Sequence, residues 1–88
     1  MNHKHRKTLH ALFAHPEPAN LSPIDVTHVL EELGAETSER SGAKFAVTLN
    51  GHTANFHHAG HSLPKDEVRQ IRKFLETAGI DPERDFPL

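Results

Sequence analysis

The sequence predicts a small α+β domain in the order helix, helix, three antiparallel strands, helix, with the helices on one face of the sheet. Three observations carry that expectation. Apolar residues recur at helical spacing in three separate stretches, the pattern switches to strict alternation between Ala43 and Leu49, and an Asn50-Gly51 pair follows at once. The chain has 88 residues, 35% of them apolar and five of them Phe, which is enough for one core. A domain this short buries only about 60% of the surface its unfolded form exposes, so a second core is ruled out.

Residues 1–7 are polar and basic without an apolar period, and they read as a frayed start, part of which can extend the first helix. From Thr8, residues Leu9, Leu12 and Phe13 fall at i, i+3 and i+4 until His15-Pro16 stops the helix. Pro16, Pro18 and Asn20 make a stiff connector. The second helix, Pro23 to about Leu33, is better marked. Ser22 is its N-cap, Pro23 takes the first position, where a missing N–H costs nothing, and Asp25 puts negative charge in the first turn. Val26, Val29, Leu30 and Leu33 form its stripe, and Gly34 ends it.

In AKFAVTL, Ala43, Phe45, Val47 and Leu49 point one way and Lys44, Ala46 and Thr48 the other. With the Asn50-Gly51 turn this predicts two paired strands, roughly Ala43 to Leu49 and His52 to His57. Glu36 to Arg40, with a turn at Ser41-Gly42, reads as a polar first strand of the same meander. Pro64 opens the last helix, whose stripe is Val68, Ile71, Leu75 and Ala78 and whose stop is Gly79-Ile80. Residues 8–80 thus form a single domain, and the tail, residues 81–88, reads as extended, with Phe86 able to fold back onto the body. Without the first short helix, this order is that of the double-stranded-RNA-binding type of α+β fold.

Composition removes several classes of function. There is no cysteine, which excludes a disulfide framework, a cysteine zinc finger, an iron–sulfur cluster and a thiolate nucleophile. No apolar run approaches the roughly 20 residues of a membrane span, and MNHKHRKTLH lacks the apolar stretch of a secretory signal, so a cytoplasmic protein is expected. A formal net charge of −2 argues against bulk nucleic-acid binding through overall charge. The nine histidines make that charge depend on pH, and basic residues cluster at Lys4, Arg6 and Lys7 and again at Lys65, Arg69, Arg72 and Lys73.

The stretch NFHHAGHSLPKDEV holds the residues most suited to chemistry. A neutral imidazole can take a proton from a ribose 2′-hydroxyl and an imidazolium can give one to a leaving 5′-oxygen, so His57, His58 and His61 suit metal-free RNA cleavage. On spacing alone, a polar loop with no chemical role accounts for them better. Metal binding by these residues with His52 is the competing reading, but neighbouring strand residues His57 and His58 face opposite sides of a sheet and no HExxH is present. No metal or cofactor is expected. Lys65, Arg69, Arg72 and Lys73 would suit a phosphate backbone, although Asp66, Glu67 and Glu76 can pair with them locally. Phe45, Phe56 and Phe74 fall on core positions and read as packing rather than base stacking.

The segments LEELGAE, SGAKFAV, the NG hairpin, HHAGHSLPKDEVRQI and LETAGI, which span about Val26 to Ile80, resemble the HicA family of small bacterial toxins, partners of HicB-type antitoxins. The specific part is Leu63-Pro64-Lys65 followed by Val68-Arg69-Gln70-Ile71 and Ala78-Gly79-Ile80. The first helix, in TLHALFAHPEPANLSP, is similar to the amino-terminal extension of a longer branch of the family. The resemblance implies an RNA-binding fold that cleaves mRNA without metal and is neutralised by a cognate HicB-like antitoxin. The family's active histidine follows a Gly-Ser pair at the start of the second strand, where this chain has Gly42-Ala43-Lys44. An ammonium can steady a phosphate but is a poor general base. Proton transfer would then fall to His57, His58 or His61, or to Lys44 with reduced efficiency, or the domain would bind without cutting. The resulting expectation places Lys44, His57 and His61 in catalysis and Lys44, His58, Lys65, Arg69, Arg72 and Lys73 on RNA. The rival is a catalytically inactive RNA- or protein-binding module derived from the same fold.

Overall fold

A computed structural model describes residues 1–18, 21–39, 44–57 and 63–88. The elements are α1 (His3–Leu12), α2 (Pro23–Glu32), β1 (Glu36–Glu39), β2 (Lys44–Leu49), β3 (His52–His57), α3 (Lys65–Thr77) and α4 (Pro82–Asp85). The strands form one antiparallel sheet in the order β1-β2-β3; α2 and α3 pack against it, and α1 packs on those two helices. The expected helix, helix, meander, helix order is therefore the observed one. It has the layering of a double-stranded-RNA-binding-type domain, which is compatible with nucleic-acid binding in general. Arg40, the Ser41-Gly42 turn, Ala43 and Asn20 lie outside the described residues.

The core forms where the predicted stripes meet. Leu9 and Leu12 of α1, Val26, Val29 and Leu30 of α2, Phe45, Val47 and Leu49 of β2, Phe56 of β3 and Val68, Ile71, Phe74 and Leu75 of α3 are all buried in one cluster. Ala46 departs from the alternation and is also buried. It lies on the other face of the middle strand between Ser38 and Asn55, and a methyl group so flanked has little contact with water. Positive φ at Asn50 (51°) and Gly51 (83°) gives the turn its tight reversal, in line with the Asn-Gly signal. The Asn50 amide then donates to the Ala78 carbonyl at 2.8 Å, which satisfies one of the orphan acceptors at the end of α3.

Both terminal segments are helical. The basic start does not fray but extends the first helix back to His3, the alternative the sequence left open, because the Asn2 side chain accepts from the His5 N–H at 2.8 Å and caps it. Carboxylates of α2 then hold the basic turn in place, with Lys4 3.7 Å from Asp25 and the His5 Nδ1 2.9 Å from Glu32. The tail is not extended. Asp81 caps a short helix through the N–H groups of Glu83 and Arg84, with Pro82 in the first position. Phe86 does fold back against the core, and its carbonyl accepts from the Nε2 of His10 at 2.8 Å.

Candidate functional site

The β3 strand is an edge of the sheet, and its far end meets the first turns of α3. A two-residue hairpin makes Leu49 and His52 a hydrogen-bonded pair, and alternation leaves Lys44 and His57 a non-hydrogen-bonded one, with the His57 N–H directed outwards. Glu67 of α3 takes that N–H, its Oε2 accepting at 3.3 Å. The hairpin and α3 are thus tied at both ends, by Asn50 to Ala78 at one and His57 to Glu67 at the other.

At the second of these ties lies a depression of about 390 Å³ lined by Lys44, Asn55, Phe56, His57, Glu67 and Gln70. Sheet and helix supply its walls differently. Lys44 and His57 are cross-strand neighbours, close enough for their side chains to share one bound group. Glu67 and Gln70 are i, i+3 neighbours beside the buried stripe of α3. Phe56 is 4% exposed and forms the floor, its ring 5.7 Å from those of both Phe45 and Phe74. A lysine, a histidine, a glutamate, an asparagine and a glutamine therefore line one recess.

The other expected site residues are distributed as follows. Lys65 does not line this depression; with Arg69 and Lys73 it forms an exposed row along the outer face of α3, each one turn from the next. Arg69 also reaches Asp66 at 3.5 Å and Glu17 at 3.1 Å. Arg72 turns away from this row. Its side chain is 11% exposed and lies 3.5 Å from Glu17, and its guanidinium donates to the Nδ1 of His15 at 3.5 Å. Arg72 thus holds the segment that follows α1 and offers little surface to a nucleic acid. The Glu17 carboxyl is held below its ordinary value by a backbone hydrogen bond and by the Arg69 guanidinium. His58 and His61 lie outside the described residues. Among the described residues there is no group of three or more His, Cys, Asp or Glu side chains that could hold a metal ion.

Asn55, Glu67 and Gln70 were not singled out by the sequence. Alternation does put Asn55 on the same face as His57, and helical spacing puts Glu67 beside Gln70. What the linear pattern lacks is the approach of the α3 start to the β3 edge, which depends on how the two stripes pack.

This arrangement defines a small α+β domain with a mixed-charge recess at a sheet edge and a basic row on α3. No protein-family model matches the chain, and no curated protein or solved structure does so either. Among the described residues no helix is long and apolar enough to cross a membrane.

Proposed function

We propose that this chain is a HicA-like RNA-binding domain that cleaves mRNA without metal in the cytoplasm and is silenced by an antitoxin covering the β3–α3 recess. The observation that carries the reading is the pairing of Lys44 and His57 at one end of the hairpin, on the wall of a depression. Lys44 stands where the family it resembles has its active histidine, and His57 is directly opposite. In this reading the ammonium of Lys44 steadies the non-bridging phosphate oxygens, where negative charge builds up in the transition state. His57 supplies the proton that the leaving 5′-oxygen needs. Lys65, Arg69 and Lys73, spaced about 6 Å apart along the axis of α3, hold the backbone beyond the scissile bond.

The second reading is a module that binds RNA or a protein partner without cutting. The lysine at the family's histidine position and the net charge of −2 favour it.

Incubation of the purified protein with mixed mRNA in EDTA tests the first reading against the second. Cleavage by the wild type, reduced about 10²- to 10⁴-fold in His57→Ala, is the expected result. RNA binding without cleavage by the wild type would favour the module. Absence of binding would remove RNA as the ligand.

A further inference from the structure

Cleavage of an RNA phosphodiester by its own 2′-hydroxyl needs two proton transfers, one from the attacking oxygen and one to the leaving oxygen. Among the described side chains of the recess, the amides of Asn55 and Gln70 do not exchange protons, and an ammonium has donors but no acceptor. That leaves His57 and Glu67 as the groups able to accept the first proton, and with His57 the donor to the leaving oxygen in the cleavage reading, Glu67 is the acceptor. Glu67 is half-buried, and its Oε2 is fixed by the His57 N–H at 3.3 Å, while its Oε1 makes no hydrogen bond among the described residues.

We propose that Glu67 is a catalytic residue of this site, its Oε1 accepting the proton of the 2′-hydroxyl of a single-stranded RNA. The assignment rests on the cleavage reading above. As the O2′–P bond forms and the P–O5′ bond breaks, the 2′ proton passes to the Glu67 carboxylate and the His57 imidazolium gives its proton to O5′. The products are a 2′,3′-cyclic phosphate and a free 5′-hydroxyl. Exchange with water returns both side chains to their starting forms, so no further reactant is consumed. Lys44 offsets the negative charge that Glu67 would otherwise set against the phosphate.

Glu67 also caps the end of β3, and Glu67→Gln separates that task from proton transfer. Glutamine can still accept from the His57 N–H, but its amide cannot take up a proton at working pH. Initial cleavage rates of a short RNA in EDTA are measured across pH for wild type, Glu67→Gln and Glu67→Ala. Binding of an all-2′-deoxy analogue, which cannot be cleaved this way, is measured alongside. The expected result for Glu67→Gln is a rate about 10²-fold lower or less, with the acid limb of the pH profile gone. Its analogue binding is unchanged or tighter and its unfolding midpoint is retained.

Cleavage by Glu67→Gln within about threefold of the wild type, well short of a general-base effect, would leave Glu67 only the cap and overturn the assignment. So would a loss of activity in Glu67→Gln that comes with loss of analogue binding and of stability. An active wild type beside an active Glu67→Gln sinks this assignment alone, whereas a wild type that binds the analogue and never cleaves RNA sinks the cleavage reading as well.

Discussion

Replacing Phe56 with leucine probes the joint on which the recess stands. The Phe56 ring is 5.7 Å from Phe45 across the hairpin and 5.7 Å from Phe74 on α3, the latter edge to face. Leucine retains most of the buried apolar area but removes both ring pairs. Each pair contributes about 0.5–1.5 kcal/mol beyond area burial, so the expected loss is about 1–3 kcal/mol. A domain of this length has about 4–13 kcal/mol of stability in all, so the variant folds with a visibly smaller margin. At about 4–8 °C per kcal/mol, its melting midpoint falls by about 4–24 °C. Because the chain contains neither Trp nor Tyr, far-ultraviolet circular dichroism in urea is the suitable assay. The midpoint should drop with the slope unchanged, which marks a change in stability rather than in the exposed surface. Ile24→Ala, at a residue 66% exposed, gives the comparison and should stay within about 0.5 kcal/mol of wild type. If Phe56→Leu were no more costly than Ile24→Ala, the ring cluster would not be what fastens α3 to the hairpin.

Lys44→Ala should weaken RNA binding and lower the slope of log affinity against log salt by about 0.7, the contribution of one neutralised phosphate on a single strand. An unchanged slope would place the phosphate elsewhere. Glu17 has a depressed folded value, so the stability it contributes is fully present above its ordinary value of 4.5 and is lost as pH falls through the folded one. The stability difference between wild type and Glu17→Gln, followed by urea midpoints, should therefore shrink on acidification below 4.5, and a difference independent of pH would contradict the pairing. Gly79→Ala should cost about 1–2 kcal/mol through backbone strain alone. Its φ is +87° and an added Cβ meets nothing within 4 Å, so a neutral result in thermal melts would mean that the helix end can relax without cost.

Much of the architecture was legible because short-range physics sets it. Ser22-Pro23, the Val26 to Leu30 stripe, the alternation from Lys44 to Leu49 and the Asn50-Gly51 turn are each decided within a few residues, and each element lies where those residues place it. The two ends were decided at long range. His3 to Lys7 look solvated as a string, yet Asn2 caps them and Asp25 and Glu32, more than 20 residues away, complete the basic turn. The 81–88 tail shows two prolines and several charges, but the His10 bond to the Phe86 carbonyl and the Asp81 cap make it a helix laid on the body.

The site divides in the same way. Lys44 is a candidate through the resemblance, at the family's histidine position, and His57 as part of a histidine-rich stretch; the hairpin register then brings the two opposite one another. Glu67 and Gln70 could not be chosen with them, and Arg72 could not be separated from Arg69, since α3 carries all four within two turns. The sequence by itself determined which residues face inwards, where the chain reverses and which cations share a helix. Only the tertiary structure decided which side of α3 meets the β3 edge, and hence that Glu67 joins the recess while Arg72 is taken up by Glu17 and His15. The reason is physical: local periodicity orients a side chain relative to its own element, whereas its neighbours depend on the packing of two elements that the chain joins through a loop.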